Sequence, residues 1–138
     1  MWRKKRSKIL ILDEAKHNKK TIQKLFSKQG VISDYSDALM MLEKVETFKP
    51  NMILFNTELL KSSGMGSLKR LTSSCSIPVI ALSGKGEDAL EAMFAGAKYC
   101  MEKPEENSPE SLEQFIRDIV TKLRSETGAK SGLFSMFD

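Results

Sequence analysis

The sequence predicts a doubly wound α/β domain: a five-stranded parallel sheet, order 2-1-3-4-5, with five helices on its two faces. Two observations carry this. Short apolar runs alternate five times with helical patterns along the 138 residues, and βα alternation implies parallel strands joined by covering helices. The first run, Lys8-Ile-Leu-Ile-Leu12, is continuously apolar, as expected of a strand buried on both faces. Right-handed crossovers then favour the doubly wound order.

The elements follow in turn. Ile22, Leu25 and Phe26 stand opposite lysines between Ala15 and Gln29, predicting an amphipathic helix that Gly30 ends. Val31 to Asp34 is the second strand. Ala38, Leu39, Leu42 and Val45 mark a second helix that stops before Pro50. Met52 to Phe55 is the third strand, and Leu68 and Leu71 mark a short third helix. Val79-Ile-Ala-Leu82 is the fourth strand, Glu87 to Ala95 the fourth helix, and Tyr99 to Met101 the fifth strand. In the last helix Ser108 is the N-cap and Pro109 the first helical residue. Leu112, Phe115, Ile116, Ile119, Val120 and Leu123 form its apolar stripe. The domain is therefore read as residues 8–124. A basic arm (1–7) precedes it, and a flexible linker with an apolar tail (125–138) follows.

Composition narrows the function classes. Hydrophobic residues make up 41% and charged residues 29%, a globular balance for one domain. No apolar run is long enough to span a bilayer, and no h-region follows the N-terminal charges. Cys75 and Cys100 lack metal or redox spacing and suit packing in a reducing compartment, so a cytoplasmic location is expected. The net charge of +4 concentrates in Arg3, Lys4, Lys5, Arg6 and Lys8 and on the first helix. A solvated arm and helix face accounts for it, although such a patch also attracts acidic partners or anionic surfaces. No aromatic interleaving supports nucleic-acid binding. Trp2 beside the arm could touch a membrane interface, yet one aromatic is thin support. His17 has no partner ligand in the sequence.

In an open parallel sheet the site lies beyond the carboxyl ends of the strands, at the switch between strands one and three. That rule selects Asp13 and Glu14, Asn56, Ser83 and Lys103. The carboxylates suit a hard cation such as Mg²⁺ or, equally, an acidic pair at a helix N-terminus. The hydroxyl and ammonium suit phosphoryl oxygens. The simpler reading pairs Lys103 with Asp13 and makes Ser83 a hydrogen-bonded strand end. The turn Asp13-Glu-Ala-Lys-His17 has no glycine to admit phosphates to the backbone, and no Walker lysine motif occurs. A nucleotide- or flavin-binding enzyme is therefore disfavoured.

Over roughly residues 8 to 124 these motifs resemble the receiver domains of bacterial response regulators, which have a flavodoxin-like fold. Leu12-Asp13-Glu14 is similar to the family's acidic pair, and Gly64 falls where its loop carries a glycine. Ile77-Pro-Val-Ile-Ala-Leu-Ser83 is similar to its fourth strand and Ser/Thr switch residue. Ala95-Gly-Ala97 with Lys103-Pro104 is similar to its fifth-strand signature, which implies a cis proline at Pro104. Asn56 falls at the phosphorylated aspartate. The chemistry implied by the resemblance needs a carboxylate that attacks a phosphodonor while Mg²⁺ shields charge. A carboxamide is neutral and a poor nucleophile. Its presence also removes a charge from the cation site, leaving Mg²⁺ weakly held at best by Asp13 and Glu14 and no cofactor required.

Other departures agree. Cys100 stands where a Tyr or Phe switch ring is usual, with Tyr99 sent to the opposite face. Leu60 replaces a proline, and the Ser83–Lys103 stretch is about two residues shorter than is common. The expected function is a phosphorylation-independent interaction module in signal transduction, not an enzyme. The alternative is a genuine phosphoacceptor whose native residue is aspartate, with Asn56 engineered. Asp13 as a substitute acceptor is a weaker variant. The resemblance implies a signalling-protein partner, or a homodimer, bound through the fourth helix, fifth strand and fifth helix, with Tyr99 and Cys100 in that surface. Phe134, Met136 and Phe137 either fold back on the domain or dock in a partner's groove. No DNA-binding pattern follows, so direct action on DNA is not expected.

Overall fold

The computed structural model describes residues 6–13, 18–58, 64–84, 89–104 and 108–127. Ten elements alternate: β1 Lys8–Leu12, α1 Lys19–Lys28, β2 Ile32–Ser36, α2 Met41–Phe48, β3 Met52–Asn56, α3 Gly64–Ser74, β4 Val79–Ser83, α4 Ala89–Phe94, β5 Tyr99–Glu102 and α5 Pro109–Thr127. The strands form one parallel sheet in the order β2-β1-β3-β4-β5, the expected doubly wound arrangement.

The sheet separates two apolar layers, because successive strand residues point to opposite faces. Leu10, Leu12, Ile53, Phe55, Val79 and Ala81 pack beneath α2, α3 and α4. Ile9, Ile11, Met52, Leu54, Ile80 and Leu82 pack beneath α1 and α5. All five residues of β3 and of β4 are buried, which is why these central strands read as unbroken apolar runs. Gly96, at φ +111°, turns the chain between α4 and β5, and a Cβ there would lie 2.5 Å from Thr72 Oγ1. That hydroxyl donates to the Ala95 carbonyl at 2.8 Å, so α3 and the α4–β5 turn meet without room for a side chain.

α1 begins at Lys19, with Asn18 as its N-cap, rather than at Ala15, and several strand ends move by one residue; four further boundaries differ from the sequence reading. β2 extends to Ser36, since β1 supplies partners through the pair Leu12↔Ser36. Leu39, expected on the core face of a helix, is 94% exposed. It lies in a turn whose Asp37 carboxylate accepts the Met40 amide at 2.9 Å, and α2 begins only at Met41. The described part of α4 ends at Phe94 rather than Ala95.

The fourth difference is at α5, which runs to Thr127 rather than lapsing at Ser125. Glu126 accepts hydrogen bonds from Lys98 Nζ at 2.8 Å and from the Tyr99 hydroxyl. The helix N-terminus is as expected: Ser108 Oγ accepts the Ser111 amide at 3.1 Å. No cis peptide bond occurs among the described residues, so Lys103–Pro104 is trans, in contrast to the resemblance and in line with the lower-energy isomer. No described helix is long and apolar enough to cross a membrane.

Candidate functional site

The parallel sheet brings the carboxyl ends of β1, β3, β4 and β5 to one rim. Asp13 follows β1, Asn56 ends β3, Ser83 ends β4 and Lys103 follows β5. Backbone bonds lock these ends together: the Lys103 amide donates to the Ser83 carbonyl at 2.8 Å, and the Asp13 amide donates to the Ser36 carbonyl at 3.3 Å. Thr57 Oγ1 donates to the Leu82 carbonyl at 3.2 Å. The described members of the sequence-selected set, Asp13, Asn56, Ser83 and Lys103, therefore converge. Glu14, Leu60, Phe134 and Phe137 lie outside the described residues, as do Trp2 and His17.

Asn56 is the centre of the rim and only 6% exposed. Its Oδ1 accepts from Lys103 Nζ at 3.1 Å and from the Glu58 amide at 3.1 Å. Both neighbours are donors, which fixes the oxygen, not the NH₂, on this side. The sequence reading favours a Lys103–Asp13 ion pair. The structure instead turns the ammonium to Asn56, with the exposed Glu58 carboxylate 3.8 Å away. The register of β3, β4 and β5 sets this choice, since Lys103 emerges beside β4 and reaches across to the end of β3.

Ser83 is buried, and its Oγ lies 3.6 Å from Cys100 Sγ. Cys100 packs on the α2–α3–α4 side of the sheet and Tyr99 on the α1–α5 side, the opposite placement that strand alternation requires. A small thiol thus occupies the space beside Ser83.

The resemblance implies Mg²⁺. A hard divalent cation takes several oxygens, mostly carboxylate. Of the described residues, the rim offers the Asp13 carboxylate, the exposed Glu58 carboxylate near Lys103, and an amide oxygen already accepting two hydrogen bonds. No cluster of three acidic, His or Cys side chains with metal-binding geometry occurs among the described residues. Glu14, the second carboxylate of the expected pair, lies outside the described residues.

Sequence reasoning singled out neither Thr57 and Glu58, which follow β3, nor Tyr35. Tyr35 on β2 stands close enough to Asp13 to sense its charge; burial, and then that carboxylate, push the phenol up to about 12. Ending β2 at Asp34 hid it, although period-two alternation from Ser33 would have aimed it at this side. Tyr35 borders a cavity of about 290 Å³ lined by residues of α1 and α5, among them Phe26 and Ile119, and by Asp13, Asn56 and Lys103.

A five-stranded doubly wound sheet with an acidic residue, a lysine and a Ser at its carboxyl rim defines a receiver-type domain. The chain belongs to the response regulator receiver domain family, whose pattern matches residues 9–117, and is thus a receiver domain of two-component signalling. It is similar to protein-glutamate methylesterase/protein-glutamine glutaminase 2 of Syntrophomonas wolfei, at 27% identity over 94% of this chain and 39% of that protein. The corresponding protein 5 of Myxococcus xanthus is 31% identical over 88% of this chain and 37% of its own length. The chain therefore spans well under half of these relatives. The fold is also that of the response regulator domain of Thermotoga maritima CheB, with TM-score 0.71 and 20% identity, covering 92% of this chain and all of that one.

Proposed function

We propose that this receiver domain works by binding a signalling partner without accepting phosphate. The observation that supports this is Asn56, a neutral carboxamide buried at the position of the family's acceptor and engaged by Lys103 and the Glu58 amide. An acyl phosphate requires an anionic oxygen as nucleophile, and this amide supplies none. Cys100 beside Ser83 supports the same reading, because it puts a compact thiol where an aromatic switch would rotate. The domain then has no need of Mg²⁺ and performs no catalysis of its own.

The partner surface in this reading is the side formed by α4, β5 and α5, including Tyr99 and Cys100, and a homodimer through it is the simplest assembly. α4 favours it: Leu90 is 72% and Phe94 83% exposed, and neighbouring exposed apolar side chains mark interaction sites. Similarity to methylesterase receivers makes a chemotaxis-type pathway the reasonable setting.

A second reading is a true phosphoacceptor in which aspartate is native and Asn56 is a replacement. The retained Lys103 contact favours it, because an ammonium at this position would equally serve a carboxylate or phosphoryl oxygen. The deciding experiment is intact mass after incubation with Mg²⁺ and acetyl phosphate, on the chain and on Asn56→Asp. If neither gains a phosphoryl group, the phosphorylation-independent reading stands. Gain by the Asp form alone moves the weight to the second reading. Gain by the chain as it is overturns the first.

A further inference from the structure

α4 is built the wrong way round for an ordinary surface helix. Its small residue Ala92 is fully buried, and Ala95, just beyond its end, is almost so. Leu90, Met93 and Phe94 are 72%, 45% and 83% exposed. At spacings of three and four residues these large side chains share one outward face. The packing beneath explains the inversion. Gly96, just beyond α4, meets Thr72 of α3 with no room for a Cβ, and the Thr72 hydroxyl donates to the Ala95 carbonyl, so the end of the helix seats closely on α3. The outer face is thus left as an apolar patch with nothing over it among the described residues.

We infer that the patch is covered by the chain's own C-terminal segment, Leu133-Phe-Ser-Met-Phe137. The end of α5 determines this choice. Glu126 is fixed to Lys98 Nζ at 2.8 Å and to the Tyr99 hydroxyl, so the chain leaves α5 beside the start of β5. Lys98 is only four residues beyond Phe94. The five residues Gly128-Ala-Lys-Ser-Gly132 span up to about 17 Å when extended. That is enough to pass the β5 edge and bring Leu133 and Phe134 to α4. The following segment is apolar at four of its five positions, the chemistry the patch requires. A short Gly/Ser-containing tether holds it there at an effective concentration of roughly millimolar, which favours it over a second copy at ordinary concentrations.

The consequence is that the tail and any partner compete for α4, so the surface assigned above is self-capped. Only this consequence rests on that assignment; the docking itself can be tested without partner or phosphodonor. The full chain carrying ¹³C-methyl methionine provides the readout, because Met93 belongs to the patch and Met136 to the tail. The double change Phe134→Ser with Phe137→Ser should shift the Met93 methyl resonance and leave the buried Met41 and Met52 methyls in place. Phe94→Ser should in turn shift the Met136 methyl. Both effects should be independent of dilution. An unmoved Met93 resonance overturns the inference. So does a Met93 shift that fades on dilution, which would assign the cover to a second copy.

Discussion

Lys103 Nζ lies 3.1 Å from Asn56 Oδ1, and the Glu58 amide lies 3.1 Å from the same oxygen. One buried oxygen thus accepts from two donors contributed by different loops, and its hydrogen-bonding capacity is filled. Removing the ammonium leaves it with one. Lys103→Met should cost about 1 kcal/mol, the net worth of such a bond at a partly exposed donor. Denaturant titration, read from the midpoint at constant slope, measures it. No loss would mean that water replaces the lysine without penalty.

Gly96 permits no side chain for two separate reasons. Its φ is +111°, and an added Cβ would sit 2.5 Å from Thr72 Oγ1. Gly96→Ala should lower stability by at least ~1–3 kcal/mol. Thr72→Ala in the same chain should recover only part of the loss, because the residue-72 Cβ, 2.7 Å from the added carbon, and the backbone strain both persist. A double-mutant cycle measures the part due to the Thr72 Oγ1 and Cγ2 atoms.

Tyr35 makes a prediction at alkaline pH. Burial, then the charge of Asp13, push its phenol from 10.0 to about 12. The folded value exceeds the unfolded one, so the folded chain holds the proton more tightly. The associated stability is complete below pH 10.0 and is lost as pH rises towards 12. Absorbance titration should show little phenolate near pH 10.0, since the hydrogen bond to Glu126 also raises Tyr99. Tyr35→Phe should flatten the alkaline stability loss, and an unchanged slope would refute the assignment.

Asp34 works in the opposite direction. Partial burial acts to raise its carboxyl, but the hydrogen bond and charge of Lys44, with the Tyr35 amide, outweigh it and lower the value below 3.8. The stability linked to this group is present above 3.8 and is lost as pH falls through the lowered value. Asp34→Asn should therefore be less stable near neutrality, by under ~1 kcal/mol for so exposed a pair. The gap should close in acid, and thermal melts across that range would show it.

Ser108 caps α5 through the Ser111 amide. Ser108→Ala should cost about 1 kcal/mol, with Ser108→Asp largely restoring it. Equal losses in both variants would remove the cap from the account of α5.

Much of the fold was legible because strand and helix patterns are local. The buried runs Ile9–Leu12 and Val79–Leu82 announced themselves as continuous apolar stretches, and the α5 stripe by its helical period. Leu39 misled for the same reason: it kept a helical spacing, yet the Asp37 carboxylate closed a turn there and left it exposed. The end of α5 was hidden by the reverse effect. Ser125-Glu-Thr127 has no apolar period, and the helix continues with Glu126 held by Lys98 and Tyr99, residues from another part of the chain.

By itself the sequence determined the alternation of five strands and five helices, the rim on which Asp13, Asn56, Ser83 and Lys103 meet, and the neutral amide at the end of β3. Only the tertiary structure decided where those groups point. Lys103 reaches Asn56 across 47 positions of sequence, Tyr35 enters the rim from β2, and α4 turns its alanines inward and its large side chains out. Period and propensity act over a few neighbouring residues, whereas these contacts depend on strand register and on how closely helices seat against the sheet. Those distances exist only once the whole sheet has formed.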